Sequence, residues 1–150
     1  MSIKTRLEED MKAAMREREQ GKFRLSVIRM VRASIKNAEI NERRELSDAE
    51  VLDVLAKEVK MRRDSFAEFT KAGRTDLAEP TQREIDILVE YLPAQLTEAE
   101  ITSLVEQAIK DTGASSPKDM GKVMGIVNPQ VKGRADGKQV SDIVKKLLNS

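Results

Sequence analysis

The stretch Tyr91-Leu-Pro-Ala-Gln-Leu-Thr-Glu-Ala-Glu100 decides the organisation of this 150-residue chain. Apolar side chains recur at helical spacing on both sides of it. Residues 91–96, which include Pro93, break that periodicity. Thr97 and Glu100 then form a capping box, the pattern that opens a new helix. We interpret 91–96 as a junction and predict a helical N-terminal domain at 1–93 and a tail domain at 94–150.

Upstream of the junction, the pattern predicts about four helices. The first two are expected at 3–19 and 22–41, and a capping box at Ser47–Glu50 opens a third that ends at Ala72-Gly73. The start of the fourth stays open, because Pro80 removes a backbone donor and disfavours helix before it. Either Thr75 caps this helix and Pro80 kinks it, or the helix starts nearer Pro80.

Downstream, the pattern predicts a small three-helix domain. Its helices are expected from Thr97 to Gly113, from Ser116-Pro117 to Asn128-Pro129, and from an Asp136 cap onward. No segment alternates with the period of a strand. The predicted fold class is therefore all-α.

Composition excludes several kinds of chemistry. The chain has no cysteine and no histidine, and only 3% of its residues are aromatic. Disulfides and thiolate chemistry are excluded, and the usual general base and transition-metal ligand are missing. No phosphate-loop motif fits around Gly121-Lys122. We predict no catalytic residue, no metal and no cofactor. The absence of a long apolar run leads us to expect a cytoplasmic protein.

The segment 113–138 is the candidate functional site. It holds five of the seven glycines, and residues 112–150 carry seven basic against three acidic side chains. Glycine lets another molecule approach the backbone, and cations beside it suit phosphates. Free amides near Ser116 would add to this attraction. Two other interpretations stay open: glycines that allow close helix packing, and lysines that are merely solvated. The predicted nucleic-acid-binding residues are Lys118, Lys122, Lys132, Arg134, Lys138, Gly121, Gly125 and Gly133.

A second basic cluster lies in the predicted second helix. Lys22, Arg29 and Lys36 repeat every seven residues, with Arg24 and Arg32 beside them. The simpler interpretation is a solvated face neutralised by glutamates of neighbouring helices. The alternative is a second polyanion-binding face.

Several segments resemble the YqeY-like family. The most specific are Asp119-Met-Gly-Lys-Val-Met-Gly125 and Val131-Lys-Gly-Arg-Ala-Asp-Gly-Lys138, and others are Asp10–Met15, Val27–Ala33 and Asp86–Pro93. The tail domain resembles the tail of the B subunit of the glutamine-dependent tRNA amidotransferase. The resemblance implies an all-helical two-part fold and tRNA contact through the cations of the tail. It does not bring the amidotransferase chemistry, which belongs to parts of that enzyme missing from this sequence.

Three functional hypotheses follow. The first is a non-enzymatic tRNA-binding or tRNA-associated module that contacts phosphates through 113–138. The second is a protein adaptor that docks on an amidotransferase, a synthetase or another partner. The third is an accessory to tRNA amidation, a carbon–nitrogen ligase reaction, by family likeness only. The sequence does not determine the RNA, the partner or the oligomeric state.

Overall fold

A computed structural model describes residues 1–149 of the protein. Over that range it contains seven α-helices and no β-strand, which confirms the all-α prediction. The helices are α1 Ile3–Arg16, α2 Lys22–Glu42, α3 Asp48–Lys71, α4 Thr75–Leu88, α5 Glu98–Thr112, α6 Met120–Val131 and α7 Gly137–Leu148.

Both predicted capping boxes are present. At the start of α3, the Ser47 hydroxyl accepts from the Glu50 amide at 3.3 Å while the Glu50 carboxylate accepts from the Ser47 amide at 3.0 Å. Thr97 and Glu100 repeat this exchange at the start of α5. Each box satisfies backbone donors that a helix start leaves open. Local sequence therefore places these two helix starts.

Two helix ends differ from the prediction. The first helix ends at Arg16 rather than at 19, because Arg18 takes a left-handed φ of 54° and residues Arg18–Gly21 form a 3-10 turn. The sixth helix continues through Pro129 to Val131 instead of stopping at Asn128-Pro129. Pro129 removes a hydrogen bond to the carbonyl of Gly125. Gly125 is exposed, so solvent can satisfy that carbonyl.

The fourth helix begins at Thr75 with Pro80 in its interior, and Arg74 occupies the capping position. Thr75 is thus the first helical residue and not the cap. The start near Pro80 is excluded. The seventh helix begins as predicted, with the Asp136 carboxylate accepting from the Lys138 amide at 3.1 Å.

Backbone contacts divide the chain into two compact units, which we call unit 1 (residues 1–92) and unit 2 (from Pro93 onward). In unit 1, α3 packs along α4 and α1 along α2. The core of this unit contains completely buried aliphatic side chains, among them Leu7, Ile28, Val51, Leu55 and Leu88. Burial of such side chains contributes about 1.5–3 kcal/mol each and is the main favourable term in folding.

Unit 2 has a core of its own, in which α5, α6 and α7 contact one another. Its completely buried residues are small and mostly β-branched: Ile101, Val105, Val123, Val127, Val140 and Val144. On α6, the three valines at 123, 127 and 131 lie on one face. The opposite face of α6 is consequently free of core residues.

The single tyrosine of the chain joins two segments of unit 1. The Tyr91 hydroxyl donates to the Asp10 carboxylate, and the Arg6 guanidinium lies 5.0 Å from the ring centre. Burial, followed by the hydrogen bond to Asp10, raises the pKa of Tyr91. Asp10 and Tyr91 belong to two different segments that carry the family resemblance. Their hydrogen bond shows that the two segments contact each other within unit 1.

Candidate nucleic-acid interface

The outer face of α6 combines bare backbone with basic side chains. Gly121 and Gly125 are exposed, and no heavy atom lies within 4 Å of the position that a Cβ would occupy on either. Lys122 is exposed between them, and Lys118 is exposed in the 3-10 turn Pro117–Asp119 that precedes α6. These four residues are the part of the predicted site that the fold brings together.

The glycines of this face do not serve helix packing. A glycine that permits a close helix contact would have neighbouring atoms where its Cβ would be, and Gly121 and Gly125 have none. Glycine inside a helix costs about 1 kcal/mol relative to alanine. Neither residue has a left-handed φ that would require it. The packing interpretation is therefore wrong for Gly121 and Gly125.

The predicted anion site at Ser116 is already filled by the protein. The Asp119 carboxylate accepts from the Ser115 amide at 3.0 Å. This hydrogen bond, with a smaller one from Ser116, lowers the pKa of Asp119. A carboxylate in this position competes with an incoming phosphate for the same amides. We therefore correct the expectation that open amides contribute here.

The loop after α6 is a structural element of unit 2. Gly133 adopts a left-handed φ of 73°, and its carbonyl accepts from the Gln95 side chain at 2.9 Å. The Arg134 carbonyl accepts from the Leu96 amide at 2.8 Å, and the Arg134 Nε donates to the Ala94 carbonyl at 3.3 Å. Arg134 is half-buried and ties residues 94–96 to the loop. Arg134 and Gly133 thus have a positioning role in this loop.

The remaining predicted cations lie on other elements. Lys132 is exposed at the end of α6, where it already interacts with another group of the protein. Lys138 is exposed in the first turn of α7 and lines a shallow depression together with Lys146, Glu98, Asp136 and Asp142. Because three carboxylates line this depression, Lys138 is surrounded by both negative and positive charges. It does not extend a uniformly basic surface.

Sequence reasoning missed Lys145 and Lys146 as candidate residues. Both are exposed near the end of α7. They contribute to the basic balance of residues 112–150, which was the available signal. The predicted segment 113–138 does not include them, because its limits follow the glycines.

Residues 1–149 contain neither a cluster of metal-ligating side chains nor a helix that could cross a membrane. Within that range, no group of three or more carboxylates is arranged to hold a metal ion. No described helix is both long enough and apolar enough to span a bilayer.

The fold and this surface define a small all-helical protein with an exposed, glycine-rich basic helix face. The chain belongs to the YqeY-like family, whose model matches residues 4–148, and the resemblance inferred from the sequence is thereby confirmed. The match covers both units and all seven helices.

Similar proteins occur in fungi. A protein of Pyrenophora tritici-repentis named "Altered inheritance of mitochondria protein 41, mitochondrial" is 33% identical over 97% of this chain and 80% of its own length. A protein of the same name from Kluyveromyces lactis is 36% identical over 81% of this chain and 67% of its own length.

These names contradict the predicted cytoplasmic location, because the relatives are named as mitochondrial proteins. The prediction rested on the absence of a long apolar run. Import into mitochondria depends on amphipathic, arginine-rich segments rather than on apolar ones. Such an absence therefore bears on membrane insertion and secretion and carries no information about a mitochondrial location.

Proposed function

We propose that this protein is a tRNA-binding module that contacts RNA phosphates through the outer face of α6. The observation that supports this most directly is the pairing of open glycine backbone at Gly121 and Gly125 with exposed Lys118 and Lys122. Neither lysine makes a hydrogen bond or an ion pair with a carboxylate of the described residues. Membership of the YqeY-like family adds to it, because the tail resembles that of a tRNA-dependent enzyme.

The proposed contact is made to the RNA backbone rather than to bases. Lysine binds phosphate as a point charge, and glycine allows the two backbones to come close. Unit 2 contains no aromatic side chain on which a base could stack. Contacts of this kind position an RNA but do not read its sequence. Shape and charge would therefore select the RNA.

We also propose that the two units act as separate domains, with unit 2 carrying the contact. Each unit has its own apolar core. In this scheme Lys132 and Lys138 lie outside the α6 face, and Gly133 and Arg134 maintain the loop. Limited proteolysis tests the division: cleavage within 91–96 should release two fragments that retain helical circular dichroism.

A bulky substitution on the α6 face is the sharpest test. The double substitution Gly121→Leu and Gly125→Leu should not disturb the fold, because both sites are open and leucine favours helix over glycine. It should obstruct an approaching RNA backbone. We expect at least a tenfold loss of tRNA affinity in a gel shift, roughly 1.4 kcal/mol of binding free energy, with an unchanged or higher melting temperature.

Ser103→Leu with Gln107→Leu is the matched control, since it places two leucines four residues apart on the exposed face of α5. This variant should keep its tRNA affinity. Equal affinity of both double variants and the wild type would refute the proposed contact. Equal loss in both would indicate a nonspecific effect of added leucines and would also count against it.

The charge arm of the test uses Lys118→Glu with Lys122→Glu. Arg134 is left intact, because its replacement would release the contact with Ala94. Loss of tRNA binding by this variant in a gel shift would support the proposal. Partners that remain bound in a pull-down after RNase treatment, without any tRNA binding, would favour the adaptor hypothesis instead.

A further inference from the structure

The outer face of α2 carries a straight row of cations. Lys22, Arg29 and Lys36 are exposed and lie seven residues apart. Seven residues are nearly two helical turns, so the three side chains share one face. At 1.5 Å per residue, the row extends over about 21 Å. We call these three residues the α2 row.

The α2 row is not neutralised by ion pairs. Its three side chains form no hydrogen bond or ion pair with a carboxylate in the part of the chain that the structure describes. Arg24, from the same basic cluster, is different: its guanidinium donates to both Glu90 oxygens at 3.3 and 3.0 Å. Arg32, beside the row, donates to the Met11 sulfur at 2.9 Å, and a thioether is a weak acceptor. The interpretation as a glutamate-neutralised face therefore holds for Arg24 alone.

Carboxylates that line the groove beside Arg32 and Lys36 are occupied by other groups. Glu39 accepts from Lys4 at 2.7 Å and from the Leu46 amide at 2.9 Å, and these hydrogen bonds lower the pKa of Glu39 more than the charge of Lys36 does. Other carboxylates that line the groove beside Arg32 and Lys36 are likewise engaged: Glu8 lies 3.6 Å from Lys12, Asp48 accepts from the Ile3 amide, and Glu45 faces Lys4.

On the other side of α2, Glu58 binds Arg62 and Ser34. Between the members of the row, Ser26 and Ala33 are exposed and small. No acidic residue occurs from Gln20 to Ala38. The segment of α2 that carries the row therefore contains no carboxylate between the cations.

We propose that the α2 row is a second contact for RNA phosphates, made by unit 1. The inference depends on the proposed function for its partner, since it concerns the same class of ligand. Neighbouring members of the row lie about 10 Å apart. This is about three times the spacing of charges along one nucleic-acid strand, so each cation can contact a separate phosphate. The face carries no aromatic side chain that would read bases.

The test measures tRNA binding over a range of salt concentrations for Lys22→Gln with Arg29→Gln and Lys36→Gln. Each lost phosphate contact reduces the slope of log affinity against log salt by about 0.7 to 0.9. We expect the slope to become shallower by about 2 to 3, and the affinity at low salt to fall more than tenfold.

The matched control removes the same charge from α3 through Lys57→Gln, Lys60→Gln and Lys71→Gln. These lysines are also exposed, but acidic residues such as Asp53, Asp64 and Glu68 alternate with them. The control should keep a nearly wild-type slope. Equal slopes for both triple variants would overturn the proposal, because net charge alone would then explain the effect.

The outcomes separate this inference from the proposed function. If the α6 variants lose tRNA while the α2 variant binds with the wild-type slope, the α2 contact is refuted and the proposed function stands. If the wild type shows no salt-dependent tRNA binding, both are refuted. If the α2 variant loses binding to vesicles rich in phosphatidylserine but retains tRNA, the row serves a membrane surface and the RNA assignment is overturned.

Discussion

Units 1 and 2 use glycine in opposite ways. A Cβ on Gly21 would lie 2.2 Å from the Ala14 carbonyl oxygen, so this glycine allows the start of α2 to lie against α1. Gly121 and Gly125 in unit 2 have open space where a Cβ would be. The residue type is the same, but one glycine is required by packing and the others are not. Only the second kind leaves backbone available to another molecule.

Charged residues show a related contrast. Arg62 of unit 1 is only 10% exposed and pairs with Glu58 at 2.6 Å. Lys118 and Lys122 of unit 2 are exposed and make no ion pair with a carboxylate of the described residues. Arg62 also lies 3.7 Å from Glu84 of α4 and 3.5 Å from the Met30 sulfur of α2, so it connects helices of unit 1, whereas unit 2 presents lysines to solvent. Exposed lysines that make no such ion pair, and helical glycines with open space around them, are therefore the candidates for binding another molecule.

The largest expected effect is on the buried pair of unit 1. Arg62→Met should leave the largely buried Glu58 carboxylate without its ion partner, with the Ser34 hydroxyl as its remaining donor, and reduce the free energy of unfolding by about 4 kcal/mol. Lys122→Met, on the exposed face of unit 2, should change it by less than about 0.5 kcal/mol. Urea unfolding measures both. Equal changes in the two variants would show that Arg62 stabilises the protein no more than the exposed Lys122 does.

The next effect concerns Gly21. Gly21→Ala forces a methyl group against the Ala14 backbone and should reduce the free energy of unfolding by about 3 kcal/mol. The midpoint of urea unfolding should fall accordingly. A stable Gly21→Ala protein would show that this close approach is not needed.

Gly125→Ala should have the opposite sign. The site is open and inside α6, so alanine should increase the free energy of unfolding by up to about 1 kcal/mol. Thermal unfolding followed by circular dichroism will detect the change. A destabilised variant would mean that the residue has a packing role after all, and the comparison with Gly21 would then fail.

The smallest effect is a pH dependence at the start of α3. The hydrogen bond from Arg44, and then those from Ser47, lower the pKa of Glu50 to about 2, from an ordinary 4.5. A lowered pKa in the folded state stabilises the protein above the unfolded value, and this stabilisation is lost as the pH falls toward 2. Glu50→Gln should therefore make the free energy of unfolding less dependent on pH below about pH 4.

The counterpart in unit 2 is Asp119, whose pKa is lowered chiefly by the Ser115 amide. Asp119→Asn should also weaken the pH dependence below about pH 4. It should leave the ion pairs of unit 1 unaffected. Acid titrations of the two variants, followed by circular dichroism, show whether each unit responds separately.

Much of the helical architecture followed from local sequence. Ser47 with Glu50, and Thr97 with Glu100, satisfy backbone donors within four residues, so the pattern alone identified both helix starts. The predicted ends of α1 and α6 were wrong, because of Arg18 and Pro129. A left-handed φ is uncommon at an arginine, so residue type does not predict it. Proline usually ends a helix, but here the carbonyl of Gly125 that loses its hydrogen bond is open to solvent.

The candidate site was also predicted only in part from the sequence. The sequence identified the glycines and cations of 113–138 as unusual, but it gave no means of ranking them. The structure separated Gly121, Gly125, Lys118 and Lys122, which are exposed on α6 and in the turn before it, from Gly133 and Arg134, which hold a loop. It also showed that the Ser115 amide, next to Ser116, already donates a hydrogen bond to the Asp119 carboxylate.

By itself, the sequence determined the helical class, both capping boxes, the lack of cysteine and histidine chemistry, and membership of a family. These properties depend on residue type and on spacings of a few positions, which the chain states directly. Tertiary structure decided which glycines are packed and which are open, and which cations are paired. Those properties depend on neighbours that are distant in sequence, so only the packed helices could assign them.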